Sequence, residues 1–115
     1  MIRNMITLTK SAVYVVQEMV KGRPSYGVRV KGTHAGCSGL YFDISLDKKR
    51  KGDVTLRKHG KLSVFADPET KKIMASLPRS HFKPATIYHV QTHLGQKFMT
   101  ESRMVRINIW EHDLE

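Results

Sequence analysis

The stretch GTHAGCSGL, residues 32–40, places the only cysteine of the chain, Cys37, between two glycines. Glycine tolerates positive φ and leaves a neighbouring sulfur unshielded, so residues Gly32–Gly39 predict a loop with an accessible thiol. Such a thiol is suited to thiolate formation and metal ligation. His34 lies three residues earlier and is the nearest second ligand. The alternative is that Cys37 is a small buried apolar residue.

Both flanks of this loop alternate between apolar and polar residues, which predicts a strand on each side. The first covers residues 26–31, and the second covers Leu40–Leu46. Upstream, Ile6–Leu8 predicts a strand, and Thr9 is placed to cap a helix over Lys10–Lys21.

The rest of the chain predicts further short elements. They are strands at Val54–Arg57, Leu62–Ala66, Ala85–Gln91 and Arg103–Trp110, a helix at Pro68–Leu77 capped by Asp67, a charged hairpin tip at Asp47–Gly52, and a turn around Gly95. The order β-α-β-β-β-β-α-β-β predicts an α+β domain with hairpin-rich mixed sheets and two short helices.

Length, charge and cysteine count restrict the class of protein to which the chain can belong. The chain has 115 residues, with 20 Lys and Arg against 10 Asp and Glu, a net charge of +10. This length predicts one domain. No apolar run approaches the ~20 residues of a membrane span, and no signal peptide is visible, so neither a membrane role nor export is expected. One cysteine excludes an internal disulfide and favours the reducing cytoplasm.

Several segments, in order, resemble the A-type iron–sulfur carrier family, also called HesB-like or IscA-like proteins. They are ITLTKSA at 6–12, YGVRV at 26–30, GCSGL at 36–40, GDV at 52–54 and VFADP at 64–68. Phe42 stands where the family usually has Tyr. The resemblance covers about residues 5 to 82 and implies the HesB-like fold, a homodimer, and Cys37 as a cluster ligand. His34, from its place in the same loop, is the best local candidate for a further ligand.

The end of the chain departs from that family. Its Cys-Gly-Cys-Gly pair is replaced by residues 92–98, THLGQKF, and both cysteines are missing. His89 and His93 occupy this region. A 2Fe–2S cluster needs four ligands, so we expect cluster binding to be weakened or lost. Residues 1–98 correspond to the HesB-like domain, and residues 99–115 form an extension that we expect to add a strand to the same domain or to a neighbour's sheet.

No enzymatic signature is found. The sequence has no phosphate-binding Gly-rich loop, no His-Glu-x-x-His and no evident acid–base pair. We therefore expect a protein that is not an enzyme.

The basic charge gathers in two segments, from which we predict a binding patch for nucleic acid or an acidic protein. Its residues are Lys48, Lys49, Arg50, Lys51, Arg57, Lys58 and Lys61. The alternative is a merely solubilising surface.

Two functions follow from the sequence. The first is a divergent A-type carrier or scaffold that delivers a weakly held cluster to apo-protein acceptors. The second is a non-catalytic structural or assembly protein that reuses the fold, for example in a virion or another multi-subunit particle.

Overall fold

A computed structural model of the chain describes residues 6–34, 39–77, 85–102 and 104–110. Its elements, in chain order, are β1 (Ile6–Leu8), α1 (Lys10–Met19), β2 (Tyr26–His34), β3 (Leu40–Lys48), β4 (Val54–His59), β5 (Leu62–Ala66), α2 (Pro68–Ser76), β6 (Ala85–Thr92), β7 (Gly95–Met99) and β8 (Val105–Asn108). The α+β class and the two short helices predicted from the sequence are confirmed. No helix of the described residues is long and apolar enough to cross a membrane.

Both helices begin where the sequence predicted, because a side-chain oxygen accepts an otherwise unpaired backbone N–H. Thr9 Oγ1 accepts from Ala12 N at 3.2 Å, and Asp67 Oδ1 accepts from Thr70 N at 3.1 Å. Pro68 occupies the first turn of α2, where its missing N–H costs nothing.

The strands form two sheets. One has three strands in the order β1-β6-β7, and the other has five in the order β4-β5-β2-β3-β8. Both sheets and both helices contribute to one apolar core, which includes Leu8, Val16, Phe42, Met74 and Ile87. The sequence did not predict β7 (Gly95–Met99), because the residues around Gly95 indicate only a turn. The turn is only two residues long, and Thr92 pairs with Gly95 across it.

The expected hairpin tip at Asp47–Gly52 is wrong. Strand β3 pairs with β2 and β8, whereas β4 pairs only with β5, so β3 and β4 are not neighbours. Residues 49–53 therefore connect β3 to β4 past the strands β2 and β5; we call them the crossover. The sequence could not show this, because charge and length in this segment suit a tight turn as well as a crossover.

Strand β8 lies in the sheet of its own chain. It pairs in parallel with β3, with Phe42 opposite Val105 and Ser45 opposite Asn108. Val105 and Ile109 are buried in the core, and Trp110 is 55% exposed. The division of the chain at residue 98 stays a prediction.

Gly27 in β2 is required by a close approach to β5. A Cβ atom at this position would lie 2.6 Å from the backbone oxygen of Ser63 and 2.9 Å from Phe65 Cε2. Both distances are shorter than van der Waals contact, so a side chain here forces β2 and β5 apart. A Cβ at Gly32, in the same strand, would meet its nearest atom, Ile73 Cδ1, at 3.5 Å.

We predict that Gly27→Ala lowers the free energy of unfolding by about 1–3 kcal/mol, the usual cost of overpacking. Gly32→Ala, the matched control, should change it by less than about 0.5 kcal/mol. Urea unfolding followed by circular dichroism measures both. Equal midpoints for the two variants would contradict the close approach of β2 and β5.

Candidate functional site

The metal site predicted at Cys37 falls between two paired strands. His34 is the last residue of β2, is exposed, and lies opposite Leu40, the first residue of β3. The five residues between them contain Cys37, which lies outside the described residues. His34, expected in the loop, is thus placed at a strand end, and the structure does not test its pairing with Cys37.

The segment where the A-type family has its cysteine pair is a β-hairpin formed by β6 and β7. His93 lies in its two-residue turn and is exposed. His89 lies within β6 opposite Phe98, with the two rings 5.6 Å apart. Because β6 ends at Thr92, His93 lies outside the strand that holds His89.

Two histidines have a buried Nε2 without a hydrogen-bond partner among the described residues: His59 at the end of β4, and His89. Burial and the nearby charge of Arg57 hold the pKa of His59 below its ordinary value. His59 and His89 belong to different sheets. Across the described ranges, no three His, Cys, Asp or Glu side chains are grouped so that they could hold a metal ion.

The predicted basic residues are divided among several elements. Lys48 ends β3; Lys49, Arg50 and Lys51 belong to the crossover; Arg57 and Lys58 lie in β4; and Lys61 lies in the β4–β5 turn. All are exposed except Arg57, which is half-buried. The structure brings Lys49, Arg50 and Lys61 to one small cavity.

A buried ion-pair network that sequence reasoning missed holds the crossover on the five-stranded sheet. Arg29 is only 7% exposed. Its guanidinium donates from Nε to Asp47 Oδ2 at 2.7 Å, and from Nη1 and Nη2 to the two carboxylate oxygens of Asp53 at 3.1 and 2.6 Å. Nη2 also donates to the carbonyl of Lys48 at 3.0 Å. The guanidinium lies 4.8 Å above the Phe65 ring.

The network shifts the pKa values of Arg29 and Asp53. Hydrogen bonds from Arg29 hold the pKa of Asp53 below its usual 3.8, and the two carboxylates raise the pKa of Arg29. One feature of the sequence could have indicated this ion-pair network, because Asp47 and Asp53 lie on either side of four consecutive cations. Carboxylates on both sides of a basic run indicate a cation elsewhere in the chain that pairs with them, and Arg29 is that cation.

The network forms one wall of a polar cavity of about 780 Å3 on the outer face of the five-stranded sheet. Charges of both signs line it. Its residues are Arg29, Lys31, Asp43, Ser45, Asp47, Arg50, Lys51, Asp53, Asp67, Pro68, Arg106, Ile107 and Asn108. Arg106, from β8, binds Asp43 at 2.9 Å, so β8 completes this face.

Comparisons with known proteins bear on the fold. No protein-family model and no curated protein sequence matches the chain. Among solved structures, the chain is similar to Escherichia coli SufA, which is involved in the biosynthesis of iron–sulfur clusters. That match has a TM-score of 0.58 and 21% identity, and covers 84% of this chain and 78% of SufA.

Two further structures share the fold. IscA, solved with a 2Fe–2S cluster, matches with a TM-score of 0.52 and 12% identity, over 90% of this chain and 96% of IscA. A protein from Aquifex aeolicus matches with a TM-score of 0.50 and 19% identity, over 85% of this chain and 91% of that one. The chain therefore has the HesB-like fold of the A-type iron–sulfur carriers, as its sequence predicted.

We predict that Asp53→Asn lowers the free energy of unfolding near neutral pH by about 3–5 kcal/mol, because it leaves Arg29 buried without its main counter-charge. Because Asp53 has a lowered pKa when folded, its stabilisation is present above pH 3.8 and is lost as the pH falls through the folded value. Urea unfolding between about pH 7 and pH 2 should therefore show a steeper loss of stability in the wild type than in the variant.

The matched control is Asp43→Asn, which removes a carboxylate whose ion pair with Arg106 is solvent-exposed. Exposed pairs contribute about 0–1 kcal/mol, so this variant should stay close to the wild type at neutral pH. A similar loss in both variants would show that the buried position of Arg29 is not what matters.

Proposed function

We propose that this chain is a divergent A-type iron–sulfur carrier or scaffold whose cluster binding is weakened. The observation that carries the proposal is the position of the GCSG motif within the HesB-like fold. The motif lies in the connection between the paired strands β2 and β3. The overall likeness to SufA and IscA supports the same role.

The available ligands explain why binding would be weak. A 2Fe–2S cluster takes four ligands, and one chain offers a single thiolate, so the residues of one chain alone do not fit the cluster. Two copies supply two Cys37 thiolates. The remaining two ligands would be His34 of each copy or an external thiol such as glutathione. A homodimer is therefore part of the proposal.

The chemistry asked of the protein is exchange rather than turnover. The cluster is cargo, and Cys37 holds it as a thiolate until a thiolate of an apo-protein acceptor replaces it. Few protein ligands favour release, which suits a donor better than a storage protein. No catalytic residue is needed, and the reducing cytoplasm keeps Cys37 available.

A second candidate is a non-catalytic structural or assembly protein that reuses the fold, for example in a virion or another multi-subunit particle. The observation that favours it is the combination of missing cysteines with an added strand. Strand β8 completes the polar face of the five-stranded sheet, and Trp110 follows it, exposed.

We predict that anaerobic reconstitution with iron and sulfide gives visible cluster absorbance that is mostly lost on desalting. Cys37→Ser should abolish it, because the only thiolate is gone. His34→Ala should lower it, and the matched control His93→Ala, in the β6–β7 turn, should not.

Two outcomes would contradict the proposal. Retention of about one cluster per dimer after desalting would show that binding is not weakened. A chain that stays colourless at every thiol concentration would favour the assembly protein. Light scattering of the full chain would then distinguish a dimer from a larger particle.

A further inference from the structure

A small cavity of about 310 Å3 lies where β2 begins. Three segments meet there: the residues before β2, the crossover, and the β4–β5 hairpin. The amide of Lys49 donates to the carbonyl of Ser25 at 2.8 Å, which fixes the crossover against the start of β2. Because β5 pairs with β2, Lys61 and Ser63 reach the same place. Two basic segments that are separate in the sequence thus share one cavity.

The lining of this cavity suits an anion. Three cations, Lys49, Arg50 and Lys61, line it together with Ser25 and Ser63. Among the described residues, no aspartate or glutamate lines it. Several cations around a concavity reinforce one another's field and raise the local concentration of anions.

The two nearby carboxylates, Asp47 and Asp53, form their shortest ion pairs with Arg29, and of the three cations only Arg50 has a salt bridge to one of them among the described residues. Asp53 is almost fully buried against that guanidinium. Lys49 Nζ donates to a neutral oxygen, Thr55 Oγ1, at 2.7 Å, so its charge is not cancelled and its other two N–H groups remain for a ligand. Arg50 contacts Asp47 at 3.3 Å with 70% of its side chain exposed, and such a bridge is weak.

We propose that this cavity binds a backbone phosphate of a nucleic acid strand, with Lys49, Arg50 and Lys61 as its donors. Guanidinium and ammonium groups form short, charge-assisted hydrogen bonds to phosphate oxygens. Such contacts position a strand without reading its sequence. The proposal does not depend on the carrier function.

The surroundings of the cavity favour a polyanion over a small phosphate ester. Lys48 and Lys51 flank its residues along the chain, and Lys58 pairs with Ser63, which lines it. A strand with one phosphate in the cavity would therefore have further cations within reach. The net charge of +10 acts in the same direction at longer range.

The position of the cavity separates it from the cluster site. It lies at the first residue of β2, whereas the connection that contains Cys37 follows the last residue of the same strand. Nine extended residues span about 26 Å. A phosphate held in the cavity would therefore lie far from the strand end that leads to Cys37.

The test is fluorescence anisotropy with a labelled, mixed-sequence DNA of about 20 nucleotides, titrated with the full chain between about 50 and 200 mM salt. We expect binding that weakens steeply with salt. Lys49→Gln combined with Lys61→Gln should weaken it by about tenfold or more, because charge-assisted hydrogen bonds are lost. The slope of log Kd against log salt should fall by roughly one for each phosphate contact removed.

The matched control, Lys72→Gln combined with Lys97→Gln, removes the same charge from α2 and β7. Circular dichroism checks that both double variants are folded. An equal loss of affinity in the two would overturn the proposal in favour of diffuse attraction. So would poly-glutamate binding as tightly as DNA, which would indicate an acidic protein partner. If DNA does not bind, but adenosine monophosphate binds and the Lys49→Gln, Lys61→Gln double variant weakens that binding, the ligand is a small phosphate ester instead.

Discussion

The structure depends on one buried cation. Arg29 points from the middle of β2 onto the outer face of the five-stranded sheet, where it binds both carboxylates that bracket the basic run and the backbone of Lys48. A desolvated guanidinium is tolerated only when its donors are satisfied, and this one has four hydrogen bonds and the Phe65 ring beneath it. Asp53 of the crossover and Asp47 and Lys48 at the end of β3 supply those partners. The path of the crossover over the sheet and the burial of Arg29 therefore depend on each other.

This interaction also decides how charge is displayed. Asp47 and Asp53 both bind Arg29, and the four cations between them are exposed. Gly27 contributes to the same arrangement, because Phe65 packs against its backbone where a side chain would collide. The basic cavity at the start of β2 is therefore a consequence of how the sheet is covered, and not simply of how many lysines the chain contains.

The two ends of β2 have different chemistry. At one end lies the connection that carries the cysteine of the GCSG motif, in a fold shared with SufA and IscA. At the other end lies a cavity whose described lining includes cations but no carboxylates. The family resemblance accounts for the first end only. The β8 strand and the basic cavity are features of this chain that the resemblance does not predict.

The sequence alone determined most of the elements, because local alternation, the Thr9 and Asp67 caps and the ordered motifs report on short-range geometry. It also showed that each chain contains a single cysteine. Only the tertiary structure decided which strands are neighbours, and this order excludes the hairpin expected at Asp47–Gly52. The same order buries Arg29 and places Lys49 and Lys61 in the lining of one cavity. The physical reason is that strand order and ion pairing are set by contacts between residues far apart in the chain. A local pattern does not distinguish a charged turn from a charged crossover held down by a buried arginine.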